Sequence, residues 1–381
     1  MQVVATHIGG DWFFDQVTGL ARLGHDVRAV VPGEGPLTAK LRAAGIPLDI
    51  IPFSGKKIRQ LPRISVAEIQ LMRLIRAHQP EVIHSHLIKA MLACRMATVG
   101  YRGGIVVSQV PGTVHLRSRA VRWMDQVTLR RDDVVLGSCQ AIADEYVQMG
   151  ARSTAVSYYG CDVHKVDPLT SASTFRREFG LADDTPAVGM VAYMYPYRLR
   201  AFREYGVKGH EVFIDAAPKV LAQVPNARLF VIGDELIGNG DYRRSLEERA
   251  RQLGLGDRIV FTGYRGDVTD VMAGLDVIVN PSIEESACYT MVEALLMRKG
   301  VIASDVGGLP DTVQNGETGL LVPPGNSAEL ADAVVTLLGD PGLRQKMGEL
   351  GRERCLRRFD IKNTVSKVEE VYLAALGAAA G

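Results

Sequence analysis

Glu285 and Glu293 stand eight residues apart in Pro-Ser-Ile-Glu-Glu-Ser-Ala-Cys-Tyr-Thr-Met-Val-Glu-Ala-Leu, residues 281–295. The stretch before them, Leu275-Asp276-Val277-Ile278-Val279-Asn280, reads as a buried strand, and Met291 to Met297 reads as a helix. The two carboxylates therefore flank a helix start at the C-terminal edge of a strand, where open α/β sheets bind their ligands. Eight steps of about 100° return to within about a quarter turn, so both face one side. Free N–H groups at a helix N-terminus suit phosphate, and carboxylates beside them suit sugar hydroxyls. A nucleotide-sugar matches that combination better than a plain nucleotide.

The elements that must position this pair alternate strand and helix, which argues for parallel sheets with helices on both faces. Strands are expected at 2–7, 26–31, 47–51, 81–84, 104–109, 133–137 and 154–158, with helices such as 15–23, 36–44, 65–78 and 139–149 between them. Residues 160–174 read as a linker. A second series follows, with strands at 186–192, 227–232, 258–261, 276–279, 300–303 and 319–322. Its helices are expected at 209–223, 241–253, 267–273, 289–297, 327–338, 341–357 and 361–376. The 381 residues exceed one ordinary core, so two domains are expected, 1–165 and 175–358, with helix 361–376 packing back on the first. Two Rossmann-like domains around a central cleft would exclude water from a reactive donor.

Composition excludes several classes. The chain is 47% hydrophobic and 23% charged with net charge +1, and lacks an apolar run of membrane-span length. Met1-Gln2-Val3-Val4-Ala5 enters a strand directly, without a signal-peptide pattern. Cys94, Cys139, Cys161, Cys288 and Cys355 are scattered and form no C-x-x-C pair, which points to reduced thiols, a cytoplasmic location and no zinc site. Residues 1–165 hold 20 Lys/Arg against 13 Asp/Glu and the remainder 24 against 30, so an anionic ligand between the halves and plain solvated charge are both open readings. No dense basic run interleaved with stacking aromatics indicates nucleic acid.

The second half resembles the retaining glycosyltransferases of the large GT4 family, which have the two-domain GT-B fold. The resemblance rests on Val188-Gly189-Met190-Val191-Ala192, Lys208-Gly209-His210, Leu229 to Asp234, Val260-Phe261-Thr262-Gly263-Tyr264, Asn280-Pro281-Ser282, the Glu285–Glu293 phrase, Ser304 to Pro310 and Asn315 to Gly325. The first half matches more loosely, through Gly9-Gly10, Gly24-His25-Asp26-Val27, Pro80 to His86 and Gly160-Cys161-Asp162. The resemblance implies a hexosyltransferase-type enzyme that moves a sugar from a nucleoside diphosphate sugar, UDP-sugar first, to a hydroxyl with anomeric retention. It further implies a front-face reaction in which the departing diphosphate takes the acceptor's proton.

By that resemblance Glu293 holds the ribose hydroxyls, Glu285 lies near the donor sugar, and Lys208 neutralises the diphosphate as its charge grows. Ser286, Ala287, Cys288 and Tyr289 would offer N–H groups at the helix start, although the family usually has Gly-Phe-Gly where this chain has Ser286-Ala287-Cys288. Solvated or capping glutamates are the bland alternative. The family's phosphate-binding arginine falls at Tyr193, and the chain carries an extra segment, 193–207, from which Arg198 or Arg203 could supply the cation, with its tyrosines as part of a lid; a surface loop is the alternative. Gly10 would let backbone approach the donor or serve as a turn glycine. Asp11 and Asp15 could bind the acceptor, and Asp11 could equally cap the helix, the preferred reading.

The family's histidine near the reacting sugar falls at Pro111, and His115 is the best substitute. His84 and His86 alternate on one strand face; His86 is an acceptor-side candidate, and a metal site there is disfavoured. No cofactor or metal is expected. A small-molecule acceptor, an aminocyclitol or other natural-product precursor, is the first choice. A lipid-linked or glycan acceptor is second, with a membrane contact through Lys56, Lys57, Arg59 and Arg63 not favoured. A sugar-nucleotide epimerase and a non-catalytic sugar-nucleotide binding protein are the competing functions. A dinucleotide oxidoreductase would need G-x-G-x-x-G after the first strand, which Gly9-Gly10-Asp11-Trp12 lacks.

Overall fold

The computed structural model describes residues 1–6, 10–52, 66–236 and 238–380. Gly9, Lys56, Lys57, Arg59 and Arg63, singled out above, lie outside them. The chain divides into two compact units, Met1–Cys161 with Phe359–Gly381, and Asp162–Arg358. No helix among the described residues is long and apolar enough to cross a membrane.

In the first unit, seven strands among the described residues form one parallel sheet: β1 (Gln2–Val4), β2 (Ala29–Val31), β3 (Leu48–Ile50), β4 (Val82–His86), β5 (Ile105–Val110), β6 (Val134–Gly137) and β7 (Thr154–Val156), in the order β3-β2-β1-β4-β5-β6-β7. Strands β1, β2, β5 and β6 are buried along their whole length, as a sheet covered by crossover helices requires, while the edge strands β3 and β7 are partly open. Those helices are α1 (Asp11–Arg22), α2 (Pro36–Ala43), α3 (Val66–His78), α4 (Ile88–Ala97), α5 (Arg119–Thr128) and α6 (Gln140–Gln148). The chain's last helix, Ile361–Ala380, belongs to this unit, and its Val365, Val368 and Tyr372 complete the core formed with Phe13, Val17 and Leu20 of α1. Gly19 permits that approach, because a Cβ there would lie 2.6 Å from Val365 Cγ2.

The second unit opens with α7 (Ser173–Glu178), so the stretch read as a linker runs into a helix at its end. Its six-stranded parallel sheet contains β8 (Ala187–Val191), β11 (Arg228–Ile232), β12 (Ile259–Gly263), β13 (Val277–Asn280), β14 (Gly300–Ser304) and β15 (Leu320–Val322), ordered β12-β11-β8-β13-β14-β15. The extra segment is a hairpin of β9 (Arg198–Leu199) and β10 (Phe202–Gly206), not an irregular loop. Leu199, Phe202 and Tyr205 pack against the unit's core, which explains why it folds. Helices α8 (His210–Gln223), α9 (Asp241–Gln252), α10 (Val268–Gly274), α11 (Tyr289–Leu296), α12 (Leu309–Thr312), α13 (Ser327–Gly339) and α14 (Pro341–Arg358) surround the sheet. The closing helix 361–380 is therefore α15 in chain order.

Candidate active site

In the second sheet the chain runs outward from β8 to β11 and β12, then returns to β13 on the other side of β8. Such a reversal leaves a crevice at the strands' C-terminal ends. A cavity of about 360 Å³ occupies it, lined by Val191, Ile232, Asn280, the Tyr264–Gly266 turn, Lys208, Glu285 and Glu293 among others.

Local backbone geometry places Lys208 beside Glu285. The Ile283 N–H donates to Val207 O at 2.9 Å, tying the segment before α8 to the segment after β13. Gly209 caps α8 at φ 73°, and a Cβ there would stand 1.9 Å from Pro281 O, so only glycine allows the contact. Lys208 Nζ then donates to Glu285 Oε2 at 2.6 Å. Glu285 Oε1 accepts from the Ser286 N–H at 3.2 Å, and Asn280 Oδ1 holds the turn by accepting from the Ser282 N–H and hydroxyl at 3.1 and 2.6 Å. Burial would lower the Lys208 ammonium, but Glu285 beside it prevails and raises it, so the lysine stays charged.

Glu293 lies within α11 and lines the same cavity, where burial raises its carboxyl above the usual range. Cys288 is the N-cap of α11, makes no side-chain cap bond, and leaves the first helical turn facing this region. Its thiol accepts from Asn280 Nδ2 at 2.9 Å, and burial, with Glu285 adding, pushes it up to about 12. The thiol is therefore not a nucleophile at neutral pH. Ser286, Ala287 and Tyr289 are half-buried beside it.

The structure does not bring Arg198 or Arg203 to this cavity. Arg198 is exposed, with Nη2 donating to Glu211 at 3.5 Å and Nη1 to Arg203 O at 3.2 Å, and Arg203 is also exposed. Arg265 is the arginine that lines the cavity, fixed by Glu178 at 2.6 and 2.9 Å and by Asp267 at 2.7 and 2.8 Å. In the sequence Tyr264 reads as a strand ending, and Arg265 after it belongs to none of the motifs named above. The signal was available in their position directly after a strand at the C-terminal sheet edge. Tyr193 and Tyr195 also line the cavity, and the Tyr193 and Tyr264 rings lie 6.4 Å apart at 13°.

In the first unit Gly10 is the N-cap of α1 at φ 89°. This corrects the capping assignment for Asp11, the first helical residue, whose exposed carboxylate instead accepts from Lys40 Nζ at 2.5 Å. Asp15 is half-buried one turn on. His86 is fully buried, with its ring 4.2 Å from that of His84 and Nε2 donating to Gln2 Oε1 at 3.0 Å. His84 Nδ1 stands 2.5 Å from the Tyr372 hydroxyl of α15. His115 lies on a 3₁₀ turn with Nε2 at 3.1 Å from Asp125 Oδ2 and 3.2 Å from the Tyr146 hydroxyl. Among the described residues no cluster of three or more His, Cys, Asp or Glu could hold a metal ion.

Comparison with known proteins matches residues 200–354 to the family "Glycosyl transferases group 1" and residues 13–160 to "Glycosyl transferase 4-like domain". The alpha-D-kanosaminyltransferase of Streptomyces kanamyceticus is 30% identical over 275 residues, 70% of this chain and 67% of that protein. The 2-deoxystreptamine glucosyltransferase of the same organism is 36% identical over 144 residues, 37% of each chain. Among solved structures, Anabaena HepE in complex with UDP superimposes with a TM-score of 0.81 at 23% identity, over 98% of this chain and 99% of that one, a likeness of fold. The chain therefore belongs to the group 1, GT4-type glycosyltransferases and is a glycosyltransferase enzyme of the GT-B fold.

Proposed function

We propose that this enzyme transfers a sugar from a UDP-sugar to a hydroxyl of a small-molecule acceptor, with retention at the anomeric carbon and without a metal. The carrying observation is the convergence of Lys208, Glu285 and Glu293 on one cavity at the sheet's switch point. In this reading the Glu293 carboxylate accepts from both ribose hydroxyls. The diphosphate draws Lys208 from Glu285, and the released Glu285 accepts from the donor sugar's hydroxyls. The near-parallel rings of Tyr193 and Tyr264 offer flat apolar faces to the base. Lys208 stabilises the charge that grows on the leaving diphosphate, which itself takes the acceptor proton. The bond from anomeric carbon to diphosphate oxygen breaks as the bond to the acceptor oxygen forms on the same face.

UDP as the nucleotide is supported by the fold shared with a protein solved with UDP, and an aminocyclitol acceptor by the relative named for 2-deoxystreptamine. In this reading His115 stands in for the family's histidine near the reacting sugar, the Gly10 backbone approaches the donor, and Asp11, Asp15 and His86 serve the acceptor side. Of these, His86 contributes by shaping the strand end, because it has no exposed surface. A cytoplasmic location is part of the proposal.

The test is product formation by purified enzyme from UDP-glucose and UDP-N-acetylglucosamine with 2-deoxystreptamine and related aminocyclitols, in chelator. Glu293→Ala and Lys208→Met should each lower kcat/KM at least a hundredfold while the protein stays folded, each removing charged hydrogen bonds worth about 1.5–3 kcal/mol. Unchanged turnover in Glu293→Ala would sink the assignment. Sugar-nucleotide interconversion without acceptor would favour an epimerase.

A further inference from the structure

Helix α5 has a second face that no part of the site uses. Its inner side buries Val121 and Asp125, and the Asp125 carboxylate accepts from Arg95 Nη1 at 2.5 Å and from the Tyr146 hydroxyl at 2.5 Å. At 100° per residue the opposite arc carries Arg122, Gln126, Arg119, Trp123, Val127 and Ala120, all exposed. Trp123 is 65% exposed and Val127 47%. The following 3₁₀ turn, Leu129–Arg131, adds exposed Arg130 and Arg131. Between Ser118 and Arg131 the sequence has one carboxylate, the buried Asp125, and from α6 the Glu145 carboxylate stands 3.5 Å from Arg122 Nη1.

We propose that this face docks the enzyme on an anionic lipid bilayer, with Trp123 and Val127 seated at the headgroup boundary and Arg119, Arg122, Arg130 and Arg131 against lipid phosphates. An indole is apolar in body and polar at N–H, and so partitions to headgroup depth. Arginine stems lie along such a boundary while the guanidinium reaches phosphate bidentately. Each basic side chain near an anionic leaflet contributes about fivefold in affinity, which makes four a selective combination. A folded acidic protein is the poorer fit. One convex ridge about 16 Å long offers far less than the roughly 800 Å² per partner of a stable protein interface, whereas a fluid headgroup layer conforms to it. The mode is interfacial, since no described helix can span the bilayer. It does not depend on the donor assignment.

The test is co-sedimentation of the full chain with phosphatidylcholine vesicles, either pure or containing about one third phosphatidylglycerol. The expected result is at least tenfold tighter partition to the anionic vesicles, lost in high salt, with a blue shift of tryptophan emission. Arg119→Gln with Arg122→Gln should weaken partition about twentyfold. Trp123→Ser should weaken it roughly tenfold and abolish the shift, which separates it from Trp12, the other tryptophan. These side chains are exposed, so circular dichroism and donor turnover should match wild type and serve as folding controls. Equal partition to both vesicle types, or unchanged partition in the folded variants, overturns the proposal. So does retention by an acidic protein without vesicle binding.

Discussion

Glu293 carries a pH signature that follows from where it sits. Burial raises its carboxyl, so the free enzyme holds a proton there at a higher pH than an exposed glutamate would. Ribose hydroxyls donate to the ionised form and favour it. Donor affinity should therefore rise with pH through the raised Glu293 pKa and level off above it. Calorimetric titration with UDP-glucose, whose phosphates hold a constant charge over that range, measures this. In Glu293→Gln the slope should vanish and the plateau fall by about tenfold or more. A slope that persists in the glutamine variant would assign the proton elsewhere. The Lys208–Glu285 pair is different, because Glu285 beside it raises the Lys208 ammonium and keeps it charged through neutrality. Its part is to keep a buried cation compensated until phosphate replaces the carboxylate.

The elements show why some of this could be read from sequence and some could not. Strands such as β2, β8 and β13 announce themselves as apolar runs, because a sheet covered on both faces needs apolar residues at nearly every position. The β9–β10 hairpin does not, since its strands are short and its packing residues, Leu199, Phe202 and Tyr205, sit among three arginines. Helix α15 is legible as a helix, but its attachment depends on Tyr372, 288 residues from His84 in sequence. The Tyr372 hydroxyl accepts from Gln2 Nε2 at 2.8 Å and lies on His84 Nδ1. Tyr372→Phe strands the buried Gln2 amide and leaves His84 Nδ1 only its longer contact to Gln16 Nε2, at 3.4 Å, which should cost about 1–3 kcal/mol. Both tryptophans, Trp12 and Trp123, belong to the first unit, so urea unfolding followed by tryptophan emission reports that unit. An unchanged midpoint would mean that the polar contacts are replaceable by packing alone.

For the whole molecule, acid stability follows from histidines held neutral in both units. His84 and His86 in the first and His210 in the second are fully buried, and burial lowers each, His86 and His210 to about 3. The unfolded chain binds protons near pH 6.5, where the native state does not, so stability is retained above that pH and lost progressively below it. At pH 5 each histidine should cost about 2 kcal/mol relative to pH 8. Thermal midpoints between pH 5 and 8 check this, and His86→Gln should flatten the dependence contributed by the first unit. The opposite slope would contradict neutral burial.

By itself the sequence determined the alternation of strand and helix, the carboxylate pair beside a helix start, and Lys208 just before α8. Those are local facts, set by hydrophobic period and by glycines needed at one residue. Tertiary structure alone decided that Arg265, not Arg198 or Arg203, borders the cavity, and that Asp11 faces Lys40. It also decided that His86 is enclosed while Trp123 is not. A residue's type says which contacts it could satisfy. Only packing between distant segments, as at Gly209 against Pro281 or Gly19 against Val365, fixes which ones it does.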